Sequence, residues 1–310
     1  MSPAARRVLL AAPTLLGAAT LVFFFIHMIP GDPVEVMLGE TASAVDRARL
    51  RAALGLERPL LEQYLSFLAH AVRGDLGRSL RDGTPIAALV LGRLPATLLL
   101  AAAAGVIALV VAIPLGALSA RHRGRWPDAA ATGFALIGAS VPSFFLGPLL
   151  VLVFSVWLGW LPVSGAESAA SLVLPAITLG LGMSAILTRL VRASVLDALS
   201  ADFVRTARAK GLSEPVVFLR HALRSALLPV TTIFGLQLGS LLGGAIITET
   251  IFAWPGIGRL TLQAIQGRDY PLVQGCVLVI AVDYVAANLL TDLAYRRLDP
   301  RIRFGARESG

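Results

Sequence analysis

The side chains that most often carry chemistry are few and scattered in this 310-residue chain. Its four histidines are His27, His70, His122 and His221, and no two have the helical spacing of a metal-binding pair. The single cysteine, Cys276, can form no disulfide within the chain. There is no Gly-x-Ser-x-Gly element to expose a nucleophilic serine. The sequence therefore predicts no metal site and no catalytic residue.

Nucleotide binding is also not indicated by the sequence. A Walker-type phosphate loop needs a Gly-Lys pair, whereas Lys210, the only lysine, follows Ala209. The segment Gly180-Leu-Gly182 resembles a dinucleotide-binding turn, but it lies inside an apolar stretch with no strand before it. Close helix packing is the favoured interpretation of these glycines. No cofactor is predicted for this chain.

The most polar stretch lies between two apolar ones and is strongly basic. Within it, Asp202 is predicted to cap a helix over Phe203–Lys210, and Gly211 is predicted to end that helix. Ser213 is predicted to cap a second helix with Pro215 in its first turn. Two interpretations stay open: a site for a soluble partner, or a basic amphipathic segment held on anionic lipid. A DNA-binding helix-turn-helix is disfavoured by the short tethers to apolar spans.

The same stretch has expected faces. On its first helix, Phe203 and Ala207 are expected to share one face, while Arg205 and Arg208 lie on another. The second helix is expected to bury an apolar stripe of Val216, Leu219, Leu223 and Leu227.

The composition of the chain predicts that membrane-spanning helices hold the basic stretch in place. With 56% hydrophobic and 15% charged residues, the chain is predicted to be an all-α integral membrane protein. A bilayer core of about 30 Å requires about 20 apolar residues per helix. Six transmembrane helices are predicted, at Val8–Ile29, Pro95–Ala120, Ala129–Leu158, Ser171–Leu190, Leu227–Thr248 and Leu272–Ala294. The third contains Pro142 and Pro148 and is expected to be one tilted or kinked span.

Arginine placement predicts the orientation, because basic residues in short loops stay on the cytoplasmic side. Arg6 and Arg7, the loop at 121–125, the basic stretch and the tail at 295–310 then face the cytoplasm, and the loop at 159–170 faces outward. Both termini are predicted to be cytoplasmic, and the first apolar run is expected to be an uncleaved span rather than a signal peptide. The net charge of +8 is explained by this sidedness and by anionic lipid, so no nucleic-acid partner is predicted.

These spans imply a domain organisation. Residues 1–29 form the cytoplasmic N-terminus and first helix, 30–94 a small helical extracytoplasmic insertion between helices 1 and 2, and 95–294 the core. The basic loop at about 192–226 joins helices 4 and 5, and 295–310 form a cytoplasmic tail. Ser43 or Asp46 is expected to cap an insertion helix that ends at Gly55, and Pro59–Val72 to form another. The insertion either packs as a connector or receives a partner.

The fifth predicted span carries Gly235, Gly239 and Gly243 at intervals of four residues. Such spacing lets two helix backbones approach closely. Pairing with a second membrane chain and packing within this chain are both open.

Acidic residues in or beside the predicted spans form a second group, consisting of Glu249, Asp283 and Asp292. Because uncompensated charge in a membrane is unfavourable, these residues are expected to face a transport pathway or a partner, or to pair with arginine. Both interpretations stay open.

The basic stretch also resembles a known family. Arg205-Thr-Ala-Arg-Ala-Lys-Gly-Leu-Ser213, followed by Arg220-His-Ala-Leu-Arg224 and Leu227-Leu-Pro229, resembles the cytoplasmic coupling loop of permeases in ATP-binding cassette (ABC) importers, in the dipeptide, oligopeptide and nickel branch. Arg205-Thr-Ala207 stands where the general pattern has Glu-Ala-Ala, with Asp202 as a nearby acidic residue. Other segments resemble the family in the expected order: Ile26–Val34, Leu76–Ser79, Ala120–Arg123, Thr248–Arg259, Arg268–Pro271 and Leu298–Arg303.

The resemblance implies a division of labour in the bacterial inner membrane. This chain and a second homologous permease, expected to be a different chain, would form the pathway. Two separate ATPase subunits would bind ATP and Mg²⁺, and an extracytoplasmic binding protein would deliver substrate. The residues implied to couple with an ATPase are Asp202, Phe203, Arg205, Thr206, Ala207, Arg208, Lys210, Gly211 and Leu212.

Substrate is the least determined feature. The resemblance favours di- and oligopeptides, with nickel or a chelated metal as the alternative. A secondary carrier or a membrane-embedded enzyme is a remote alternative, and a carrier would be expected to show internal repeats that are not apparent here.

Overall fold

The computed structural model describes residues 3–28, 34, 38, 43–53 and 55–298, and the regular elements in these ranges are helical. In chain order they are α1 (Pro3–Met28), α2 (Ala44–Ala53), α3 (Leu60–Val72), α4 (Ile86–Arg121), α5 (Trp126–Ser140), α6 (Ser143–Leu150), α7 (Val173–Ser200), α8 (Asp202–Ala209), α9 (Glu214–Val216), α10 (Arg224–Gly244), α11 (Ile246–Ile251), α12 (Ile257–Gln266) and α13 (Tyr270–Leu298). Wider π-helical turns occur at Val151–Trp157 and Val217–Leu223, and a 3₁₀ turn at Ala169–Leu172 leads into α7.

Four helical stretches are long and apolar enough to cross a membrane by length and composition: Ile86–Arg121, Ala169–Ser200, Glu214–Leu241 and Tyr270–Thr291. They coincide with the second, fourth, fifth and sixth predicted spans, although most of the helices extend well beyond the predicted ends. In α1 the apolar stretch Ala12–Phe25 is shorter. The all-α membrane fold is confirmed, and a total of six spans stays a prediction.

The third predicted span differs from expectation. Instead of one tilted or kinked helix, α5 and α6 form a pair bent by 104°. Val141 between them is extended, at φ −86° and ψ 114°, and Pro142 precedes the first residue of α6. Proline lacks an amide donor and disfavours helical geometry in the residue before it, so the helix ends here and a new one begins.

The described chain divides into two compact units. The first comprises Met1–Leu98 and Trp254–Val285, and the second comprises Leu99–Ala253 and Ala286–Gly310. In the second unit α7 is the central helix and packs against α5, α6 and α10.

Glycines bring α4 and α7 into close contact in the second unit. A Cβ added to Gly116 would lie 2.7 Å from the backbone oxygen of Thr188, and one added to Gly180 would lie 2.8 Å from that of Ala104. Gly180 therefore packs helix against helix, as the sequence indicated. A Cβ added to Gly182 would have no other element of the described chain within 4 Å.

In the first unit a buried carboxylate joins two loops that are distant in sequence. Ser79 Oγ donates a hydrogen bond of 2.5 Å to Asp269 Oδ2, across 190 residues. Asp269 Oδ1 also accepts bonds from the amides of Leu80, at 3.2 Å, and Leu272, at 3.3 Å. Asp269 thus holds the start of α13 and the Ser79 loop together.

The predicted insertion helices are confirmed where the structure describes them. Ser43 Oγ accepts a bond from the amide of Asp46 at 3.1 Å, so Ser43 is the cap of α2. Gly55 follows α2 with φ +68°, and α3 begins after Pro59. Tyr64 of α3 shares a 2.6 Å hydroxyl bond with Thr20, which fixes α3 to α1.

Candidate functional site

The predicted partner-binding helix exists as α8 and begins directly after α7. Its N-cap is Ala201, at φ −74° and ψ 150°, with no side-chain hydrogen bond. The prediction that Asp202 is the cap is therefore wrong, since Asp202 is already the first helical residue. Its carboxylate accepts a 3.2 Å bond from Arg205 Nη1, and its negative charge suits the positive end of the helix dipole.

The inward face of α8 is formed by Val204 and Ala207, which are 0% and 5% exposed. They belong to a cluster of buried apolar side chains that includes Ala120, Ala198 and Val217. Phe203, one turn before Ala207, is 44% exposed, so it lies at the edge of this face and is not packed inside with Ala207. Ala207 packs within its own chain, and this contact seats α8 on the helical bundle.

Gly211 ends α8 by adopting the left-handed conformation, at φ +77°. Its amide donates to the carbonyl of Arg208 at 2.9 Å, and the amide of Leu212 donates to that of Ala207 at 3.4 Å. These two bonds form a Schellman motif, which satisfies carbonyls that the helix end would leave without partners. The predicted stop at Gly211 is confirmed.

An ion pair closes the turn between α8 and α9. Arg208 donates from Nε to Glu214 Oε1 at 2.7 Å and from Nη2 to Oε2 at 3.3 Å. The hydrogen bond to Glu214 raises the pKa of the Arg208 guanidinium. Ser213 precedes α9 without a side-chain capping bond, while Pro215 lies in the first turn as predicted.

The apolar stripe after this turn differs from the prediction. The buried side chains are Val217, Phe218, Ala222, Ala226 and Val230. Of the predicted stripe, Leu223 and Leu227 are half-buried against the same cluster, whereas Val216 and Leu219 are exposed. The π-helical turn at Val217–Leu223 changes the register of the helix.

The outward surface of α8 combines cationic and apolar side chains. On α8 the exposed side chains include Phe203, Arg205, Thr206 and Arg208, together with the acidic Asp202, and Lys210 and Leu212 directly after the helix are exposed as well. A short helix of this composition can bind a groove on another protein, with apolar side chains inserted and arginine or lysine paired at the rim. Among the described residues, no three His, Cys, Asp or Glu side chains cluster as metal ligands.

An ion pair near α8, between a buried carboxylate and a half-buried guanidinium, was missed by sequence reasoning. Asp128, which is 7% exposed, accepts hydrogen bonds from Arg192 Nε at 2.6 Å and Nη2 at 2.9 Å. The partners are 64 residues apart. The only local signal was an acidic residue in the first turn of α5, which by itself indicates no more than a favourable helix dipole.

Of the three glycines spaced four residues apart, Gly235 makes a close helix contact within the chain. A Cβ at Gly235 would overlap the side chain of Thr291 on α13, so α10 and α13 approach closely at this point. Gly239 is also buried. Gly243 lies in α10, but its surroundings fall outside the described residues.

The acidic candidates lie in different units. Glu249 is fully buried in α11, which packs against α6 and α7. Asp283 is half-buried on α13. The side chain of Asp292 falls outside the described residues.

Comparison with known proteins identifies the family. A model described as the binding-protein-dependent transport system inner membrane component matches residues 112–304, and its N-terminal counterpart matches residues 3–101. The chain belongs to this family. It is an ABC importer permease, an inner-membrane subunit that crosses the membrane several times and is not itself an enzyme.

Relatives and solved structures agree with this assignment. The glutathione transport system permease protein GsiC of Escherichia coli O6:H1 is 44% identical over 299 residues, covering 96% of this chain and 98% of GsiC. GsiC of Shigella dysenteriae serotype 1 is 43% identical over 299 residues, which again cover 96% of this chain and 98% of that protein. A chain of the inward-facing MetNI methionine ABC transporter aligns with TM-score 0.58 at 17% identity, covering 68% of this permease and 96% of that chain. A chain of an amino acid ABC transporter crystallised with histidines aligns with TM-score 0.54 at 16% identity, covering 67% and 94%.

The family also fixes the partners in general terms. An ABC importer permease works with separate ATPase subunits and with a substrate-binding protein. The remote alternatives of a secondary carrier and a membrane-embedded enzyme are thereby set aside.

Proposed function

We propose that this permease forms part of the import pathway for small peptides and that glutathione, itself a tripeptide, is the leading substrate. The proposal is supported by 44% identity along nearly the whole chain to a glutathione transport system permease. Nickel or a chelated metal is the second candidate from the sequence, and no group of potential metal ligands among the described residues favours it.

We further propose that α8 is the coupling helix and that an ATPase subunit binds its outward surface. Two observations together support this assignment. Val204 and Ala207 are buried against the helical bundle, while Phe203, Arg205 and Lys210 are exposed on the outward side. Force on α8 would then be transmitted to the bundle through packed side chains. Gly211 sets the direction in which the chain leaves the helix.

In this arrangement α8, the loop at 121–125 and both termini face the cytoplasm. The loop at 159–170 and the insertion at 30–94 face the binding protein. Nucleotide and Mg²⁺ bind to the ATPase subunits alone, and a second, different permease completes the pathway. Glu249 and Asp283 stay proposed as pathway or interface residues. The helical bundle would have two conformations. ATP bound to the ATPase subunits on the cytoplasmic side and the binding protein on the outer side would each shift the equilibrium between them.

The test is uptake into proteoliposomes that contain the complete importer with its cognate binding protein. Labelled glutathione, a dipeptide and nickel are supplied separately, with ATP inside or absent. The proposal predicts ATP-dependent accumulation of glutathione or the dipeptide and none of nickel. Accumulation of nickel alone would contradict the peptide assignment, and accumulation without ATPase subunits would contradict the importer mechanism.

A further inference from the structure

The connection between α4 and α5 is fixed to α7 by one buried carboxylate. Four donors converge on Asp128: Arg192 Nε and Ser119 Oγ bind Oδ1 at 2.6 and 2.5 Å, while Arg192 Nη2 and the amide of Gly124 bind Oδ2, each at 2.9 Å. Both oxygens are therefore saturated with hydrogen bonds. A buried carboxylate with this many charge-assisted bonds holds one geometry.

The donors come from three separate pieces of chain. Ser119 is in the last turns of α4, Gly124 is in the connection, and Arg192 is on α7. Arg192 precedes α8, and α7 continues from it to Ser200 without a break. Any displacement of the C-terminal part of α7 must therefore move the α4–α5 connection with it or break the ion pair.

A second contact ties the same connection to the chain beyond α8. The guanidinium of Arg121, at the end of α4, lies 5.8 Å from the ring centre of Phe218, within cation–π range. Phe218 is buried in the π-helical turn that follows α9. The α4–α5 connection thus contacts the element before α8 through Asp128 and the element after α8 through Arg121.

We propose that Asp128 and Arg192 are positioning residues of the transport cycle, which transmit movement of α8 to α4 and α5. Because of the ion pair, the α4–α5 connection and the C-terminal part of α7 move together. Without it, α8 can still bind an ATPase, but its displacement is absorbed at the end of α7. This inference rests on the proposed coupling role of α8.

The experiment uses the complete importer in proteoliposomes and measures peptide taken up per ATP hydrolysed. Asp128→Asn is expected to lower this ratio about 2- to 30-fold, the range over which single residues modulate coupling between sites. Binding-protein-stimulated ATP hydrolysis is expected to continue. Arg123→Gln, which removes an exposed positive charge from the same connection, is the matched control and should leave the ratio unchanged.

Two further variants separate positioning from stability. Asp128→Asn with Arg192→Gln removes the half-buried positive charge that the single variant leaves without its partner, so part of the thermal stability should recover while the ratio stays low. Ser119→Ala removes one donor and leaves the ion pair, and it should lower the ratio by less than Asp128→Asn does. Because Ser119→Ala keeps the ion pair, it is expected to fold and to give a measurement even if Asp128→Asn does not fold.

The outcomes are distinguishable from failure of the proposed function. Suppose that the unmodified importer takes up peptide. The positioning role is then refuted if the peptide-to-ATP ratio recovers together with stability in the double variant. It is also refuted if the ratio is unchanged in Asp128→Asn, the double variant and Ser119→Ala. If the unmodified importer shows no ATP-dependent uptake of any peptide, the proposed function fails and the inference falls with it.

Discussion

Arg208 and Glu214 are joined by two hydrogen bonds, of 2.7 and 3.3 Å, across the glycine turn that ends α8. The pair links α8 to the start of the helix that continues into α10. An arginine predicted to contact an ATPase is therefore engaged by a carboxylate of its own chain. The direction of α8 is set within the permease before any partner binds.

For this pair, reversing both charges is expected to preserve more function than reversing one. Arg208→Glu or Glu214→Arg places like charges across the turn, while the double reversal restores attraction. Because both side chains are exposed, little change in melting temperature is expected from any of the three. ATP-dependent uptake should fall in each single variant and recover partly in the double one. Equal loss in all three would mean that Arg208 acts on the ATPase directly rather than through Glu214.

Substitution of Gly211 is expected to depend on whether the new residue tolerates positive φ. Gly211→Val places a β-branched residue in the left-handed region, which costs about 1 to 2 kcal/mol, whereas Asn adopts this region more readily. Among the described residues, no atom beyond the chain neighbours of Gly211 lies within 4 Å of a Cβ at this site, so backbone conformation separates the two. Uptake should fall severalfold in Gly211→Val and remain near normal in Gly211→Asn, with both proteins inserted in the membrane. Normal uptake in the valine variant would show that the turn is dispensable.

The close approach of α4 and α7 predicts opposite results for two neighbouring glycines. Gly180→Ala places a methyl group 2.8 Å from the backbone oxygen of Ala104 and should destabilise the bundle by about 1 to 3 kcal/mol, as overpacking does. In the part of the chain that the structure describes, the methyl group of Gly182→Ala meets no other element within 4 Å, so this variant should cause no loss of stability. Thermal unfolding of the two variants in detergent gives the comparison. Equal melting temperatures would contradict the helix contact.

Asp269 is expected to contribute more to stability than the serine that it binds. Asp269→Ala leaves the Ser79 hydroxyl and the amides of Leu80 and Leu272 without an acceptor, each loss being of order 1 to 3 kcal/mol when buried. Ser79→Ala leaves the two amide bonds in place and should lower the melting temperature less. Glu62→Ala, at an exposed position on α3, is the control. If the serine variant were as unstable as the aspartate variant, the loops would be held by other contacts.

Local features were predictable because their causes are local. Gly211 is predictable as a helix stop since a residue that accepts positive φ suits that position. Ser43 and Asp46 were both candidates for the cap of α2, and Ser43 is the one whose side chain accepts from a nearby amide. Membrane character followed from composition. Each of these signals lies within a few residues of its effect.

Tertiary features were not predictable from one sequence. The partners Asp128 and Arg192 are separated by 64 residues, and nothing in either segment specifies the other. The buried stripe after α9 was misjudged in part because the π-helical turn at Val217–Leu223 changes the register, and a regular helical period does not reveal such a turn. The sharp break at Pro142 was underestimated because proline alone does not determine a bend angle.

The contact between α8 and an ATPase can be measured at Lys210, the only lysine in the sequence, which is exposed at the end of α8. A short amine-reactive cross-linker applied to the assembled importer should join this permease to an ATPase subunit, and Lys210→Arg should abolish that product. The α-amino group of the chain also reacts with the reagent, and any cross-link that remains in Lys210→Arg comes from it. The variant therefore shows which product depends on Lys210. An ATPase cross-link at Lys210 that responds to ATP is the predicted result. Cross-linking of Lys210 to the binding protein, or accessibility of Lys210 only from outside the membrane, would contradict the assignment of α8 as the coupling helix.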